Sequence, residues 1–150
     1  ISTLIVLLLG SLVAAVENAN QACSVGTFSA WPLCQGGIMP SAASMASHLH
    51  TTHRFAVLFI GAWLIFNLVR IGRDERTVIR RFLHAGVGLY VLNVLIGGIY
   101  ILSWNSTRGF IEHLSLFHLL LGSLSFLSIA FAALLATNSS LNGATTEDEE

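Results

Sequence analysis

Four long apolar runs constrain this chain more than any other feature. They occupy residues 1–16, about 45–69, 82–102 and about 110–135. Each approaches the ~20 residues that an α-helix needs to cross the hydrocarbon core of a bilayer. Composition agrees: 54% of the 150 residues are hydrophobic and 10% charged, against roughly 45–50% and 25% in a soluble domain. The pattern predicts an all-α integral membrane protein, a four-transmembrane-helix bundle over residues 1–135. The polar stretch 136–150, which ends in Glu147, Asp148, Glu149 and Glu150, is predicted to be a disordered acidic tail. A signal peptide is the alternative for the first run, but no basic segment precedes it. The chain opens on Ile1 rather than Met, so further residues are expected before it.

Charge sets the orientation. Five of the seven basic residues (Arg70, Arg73, Arg76, Arg80 and Arg81) fall in the 70–81 connection, which the positive-inside rule assigns to the cytoplasm. Both termini then face the cytoplasm, and the loops 17–44 and 103–109 lie outside the plasma membrane. Membrane lipid is the expected surroundings. A net charge of -1 gives no basic footprint for nucleic acid. Cys23 and Cys34 fall in the outer loop, where a disulfide is permitted; two unpaired thiols are the alternative. Their spacing is not the C-x-x-C of a thiol oxidoreductase.

Helix rise then places the histidines. His53 lies about one turn, ~5 Å, inside the outer edge of the second run, with Arg54 beside it, and His118 falls at nearly the same depth on the fourth. His113 sits above that level, while His84 starts the third run, across the membrane. An intramembrane histidine is costly unless it faces the bundle interior and finds a partner. A matched pair suits the two axial positions of one haem iron, although each imidazole can equally serve a neighbouring helix. Ser115, His118, Gly122 and Ser125 share one helix face, as do Gly86, Tyr90, Asn93 and Gly97. Such small-residue faces admit a porphyrin or simply close helix packing. Arg54 at that depth needs neutralising, and a haem propionate or Glu112 is the expected partner.

The run Trp31-Pro32-Leu33-Cys34-Gln35-Gly36-Gly37-Ile38-Met39-Pro40 after Cys23, followed by His53-Arg54 near the start of the next helix, resembles the haem A synthase family. The likeness continues through Leu83-His84-Ala85-Gly86-Val87-Gly88-Leu89 and His118-Leu119-Leu120-Leu121-Gly122. That family has two pseudo-repeated four-helix bundles, each with an outer-side histidine pair, and this chain looks like one of them. The resemblance implies oxidation of the haem O methyl group to the formyl of haem A. It also implies haem (b, O or A type) ligated by His53 and His118, with His113 as the substitute for His118. Arg54 and Gly122 would line the cofactor, and Cys23–Cys34 would form an extracytoplasmic disulfide. The chain departs from the family at His50, which occupies the place of the catalytic glutamate, and in the seven residues 24–30 between Cys23 and the tryptophan motif. One bundle would hold one haem, so a homo-oligomer or another membrane subunit is expected as partner. The alternative function is a non-catalytic haem b-binding or structural accessory subunit of a respiratory or photosynthetic membrane complex.

Overall fold

The computed structural model describes residues 2–38, 44–71 and 77–147, with the side chains of 71 and 139–147 left aside. Met39 and Pro40 of the tryptophan motif, Arg73 and Arg76 of the basic connection, and the last three acids lie outside the described residues. The order is α1 (Ser2–Ala15), a 3-10 turn (Ala19–Gln21), α2 (Met45–Ile71), α3 (Thr77–Leu102) and α4 (Glu112–Glu147). Among the described residues, three helices are long and apolar enough to cross a membrane, over Met45–Arg70, Thr77–Leu102 and Glu112–Asn138. Helix α1 is apolar but has 14 residues, about 21 Å at 1.5 Å per residue.

Two boundaries differ from the sequence reading. Helix α3 begins at Thr77 rather than 82, so Arg80 and Arg81 belong to its first turns instead of a loop; long basic side chains can leave an apolar helix end for water. Helix α4 runs on to Glu147, through residues expected to be a disordered tail from 136. No proline interrupts that stretch, and the helix already formed by the apolar run needs only propagation, not a new nucleus, to extend.

Helix α2 starts where the sequence provides a cap. Ser44 Oγ accepts the Ser47 backbone N–H at 3.1 Å, and the Ser44 N–H donates to Ser47 Oγ at 3.0 Å, a reciprocal capping box with serine in the usual glutamate place. Between α3 and α4, Asn105 Oδ1 accepts from the Thr107 N–H and Gly109 returns its N–H to the Asn105 carbonyl. Gly109 takes φ 72° there, a left-handed conformation open to glycine.

Packing divides the molecule lengthwise. Toward the arginine end lies the aliphatic core of Leu64, Ile79, Leu83, Val87, Tyr90 and Ala132, which joins α2, α3 and α4. The Tyr90 hydroxyl donates to the Val57 carbonyl at 2.7 Å. Outward faces are apolar: Leu58, Phe59, Trp63 and Phe66 on α2, and Leu116, Leu120, Leu127 and Leu134 on α4, are all exposed. Exposed apolar surface of this extent is compatible with lipid contact. At the other end, Cys23 and Cys34 are bonded, and the loop they close is tied to α3 by the Gly26 N–H on the Ile101 carbonyl. The Trp31 indole lies against Gly98 of the same helix.

Candidate functional site

The loop end of the bundle buries Ser47, His50 and Thr51. His118, on the first third of α4, approaches the Asn93 carbonyl of α3 with Nδ1 at 2.9 Å. A carbonyl only accepts, so Nδ1 carries the proton and Nε2 keeps its lone pair. That is the arrangement of a metal-ligating imidazole, whose other nitrogen donates to a backbone carbonyl. His53, on α2, lies within electrostatic reach of His118 and Arg54. Its Nδ1 is buried without a hydrogen-bond partner.

Each ring backs onto a glycine of the neighbouring helix. A Cβ built on Gly97 would fall 2.8 Å from His118 Cε1, and one on Gly10 would fall 3.2 Å from His53 Cε1. The small-residue face of α3 includes Gly97, whereas Gly10 escaped the sequence reading: a lone glycine in an apolar run does not disclose which ring meets it. Gly122 lies one turn beyond His118, where a Cβ would meet Asn93 Nδ2 and Leu7 Cδ2, both at 3.2 Å. It therefore serves the close approach of α1, α3 and α4.

Arg54 differs from expectation. Glu112 is exposed at the start of α4, and among the described residues no carboxylate reaches the guanidinium. Its Nη1 donates instead to the carbonyls of Ala30 at 2.6 Å, Pro32 at 3.5 Å and Leu33. The physical reason is the disulfide loop: its turns leave backbone carbonyls outside any ladder, and a long side chain one turn below collects them. Nη2 reaches His50 Nε2 at 3.2 Å. His50 is 5% exposed and lies beside the Ala19 backbone, yet its Nδ1 makes no hydrogen bond.

The remaining histidines stand apart. His113 is exposed before His118, and His84 donates from Nδ1 to the Arg80 carbonyl at 2.8 Å. His84 precedes Gly97 by thirteen residues, about 20 Å along α3. The disulfide is buried, with Cys23 at 0% and Cys34 at 3% exposure, and the Thr51 hydroxyl of α2 lies 3.6 Å from Cys23 Sγ. Among the described residues no group of three or more His, Cys, Asp or Glu side chains could hold a metal ion by itself. Two imidazoles are the available pair, enough for a metal that brings its own equatorial ligands. Compared with known proteins, the chain matches no family model, no curated protein and no solved structure.

Proposed function

We propose that this chain is a four-span membrane protein of the haem A synthase type that holds one haem between His53 and His118. The observation that carries the reading is a concentration of unsatisfied polar atoms. Among the described residues, the buried side-chain nitrogens and oxygens without a hydrogen-bond partner are His50 Nδ1, His53 Nδ1 and Asn93 Oδ1. All three belong to the residues around the histidine pair. Each such group costs roughly 1–3 kcal/mol when buried unpaired, so their gathering at one place argues for a bound group that completes the site.

The residues fit a haem. His118 has the tautomer that frees Nε2, and both rings stand against glycines. Bound haem would supply redox chemistry, which for this family type converts the haem O methyl to the haem A formyl. The chain's own residues would orient it: Asn93 fixes the His118 ring, Gly10 and Gly97 fix how deeply the two imidazoles sit, and the disulfide loop closes the end of the bundle. In this reading α1 is the fourth span, the arginine end faces the cytoplasm with both termini, and the Cys23–Cys34 loop faces outward. A second copy or another membrane subunit would stand beside the single bundle.

An optical spectrum of the purified protein in detergent tests the reading. Low-spin bands of a haem with two imidazole ligands are expected, lost in both His53→Ala and His118→Ala. A haem-free protein, or one whose spectrum survives both substitutions, overturns it. The accessory-subunit reading has one observation in its favour, His50 at the place of the catalytic glutamate. Haem A formed in cells supplied with haem O supports the synthase, and haem b without product supports the accessory subunit. Restoration of haem A by His50→Glu would identify an inactive descendant.

A further inference from the structure

Arg54 and His50 together fix a proton. A guanidinium donates and cannot accept, so in the 3.2 Å contact between Arg54 Nη2 and His50 Nε2 the imidazole nitrogen is the acceptor. The neutral ring then carries its proton on Nδ1. That Nδ1 is buried and makes no hydrogen bond of good geometry, with only the Ala19 backbone beside the ring, in a side chain 5% exposed, and the ring cannot flip without losing Arg54. Arg54 cannot move away either, because Nη1 is engaged by the carbonyls of Ala30, Pro32 and Leu33. Carbonyl dipoles solvate a cation but leave its charge in place. One end of this hydrogen-bonded pair therefore lacks a well-aligned acceptor, and the other lacks an anion.

We propose that His50 is a positioning residue that donates its Nδ1–H to a carboxylate of the bound tetrapyrrole, with the Arg54 charge behind it. The inference rests on the haem reading above. His50 precedes His53 by three residues, about 4.5 Å of helix rise on the same face, so it addresses the edge of the ring rather than the metal. A glutamate at this place would accept hydrogen bonds and repel a carboxylate. His50 reverses that polarity: the position suited to stabilise a developing positive charge instead recognises a negative group. The site then selects a tetrapyrrole by its acid side chains.

The test is equilibrium binding of ferric haem b and of its dimethyl ester to the full chain in detergent, for the wild type, His50→Phe and His50→Gln. The ratio of the two affinities within each protein is the readout, so that the greater lipophilicity of the ester cancels between proteins. A charge-assisted hydrogen bond predicts that the preference for the free acid falls by about tenfold in His50→Phe. His50→Gln, which keeps an acceptor for Arg54 and a donor for the ligand, should retain it. An unchanged ratio in His50→Phe overturns the proposal while leaving the haem reading intact. Failure of the wild type to bind either form overturns both. Should His50→Phe not fold, imidazole nitrogen NMR of the wild type decides: the Nδ1–H resonance should shift with the free acid and not with the diester, and equal shifts refute the assignment.

Discussion

The two histidines sit on helix pairs that are held together by different means. Helices α3 and α4 meet at backbone distance: a Cβ on Gly86 would lie 2.6 Å from Ile129 Cγ1 and 3.2 Å from the Ile129 backbone nitrogen. Ser125 donates across the pair to the Gly86 carbonyl at 2.8 Å, and Phe82 meets Phe131 edge to face at 4.7 Å. On this pair His118 is anchored by a hydrogen bond to Asn93. Helices α1 and α2 have no equivalent anchor for their histidine. There the His53 ring rests on Gly10, and order comes from the covalently closed loop through Arg54 and Thr51. One imidazole is fixed by direct helix packing, the other by a loop that must itself be fixed.

That contrast is broken most directly at the disulfide. Cys23→Ser with Cys34→Ser should destabilise the protein by about 2–4 kcal/mol. The loss should fall on the α1–α2 side, read as faster amide exchange in the loop and the first turns of α2, with α3 and α4 unchanged. Uniform acceleration across all four helices would show that the loop supports the whole bundle. Next in size is Gly86→Val, which places branched carbon against a backbone nitrogen that cannot yield. Overpacking of this kind costs about 1–3 kcal/mol and should lower the thermal midpoint while sparing the loop's resistance to exchange.

The glycines beneath the two imidazoles sharpen the same comparison. Gly97→Ala brings a methyl to 2.8 Å from a ring tethered to Asn93, so ring and hydrogen bond cannot both remain. Gly10→Ala brings one to 3.2 Å from a ring whose Nδ1 is untethered and can give by a few tenths of an ångström. Under the haem proposal, the expected losses in affinity are about tenfold for Gly97→Ala and about threefold for Gly10→Ala, from strain of about 1.4 and 0.7 kcal/mol. Equal losses would mean that His53 is as rigidly placed as His118.

The sequence discloses the two sides unequally. Helices α2 and α3 are legible because their apolar runs are long, yet the start of α3 at Thr77 is not, since arginines at a helix end look like a loop. The continuation of α4 to Glu147 is equally hidden, because its Thr, Asn, Ser and Gly residues have the composition of a tail. His53, Arg54 and His118 stand out as polar residues within apolar runs, and the small face of α3 and α4 has a helical period. The partners of Arg54 leave no such trace. Backbone carbonyls of Ala30, Pro32 and Leu33 have no side-chain signature, and only the folded loop brings them to the guanidinium. Proton placement on His50 follows from that contact, so it too is invisible in the residue order.

The smallest expected effect concerns the Ser125 hydrogen bond from α4 to the α3 backbone. Ser125 is 1% exposed and its hydroxyl lies 2.8 Å from the Gly86 carbonyl. That carbonyl also serves the helix, since the residue four positions on donates to it, so removing the hydroxyl leaves no unsatisfied acceptor. Alanine fills nearly the same space, and interhelical hydrogen bonds in membranes average about 0.6 kcal/mol. Ser125→Ala should therefore shift the thermal midpoint only slightly, because the helices are already kept together by the Gly86–Ile129 approach. A loss near that of Gly86→Val would reverse the ranking. The hydrogen bond, rather than close packing, would then hold the anchored pair, and α3–α4 would depend on a polar tie much as α1–α2 depends on its loop.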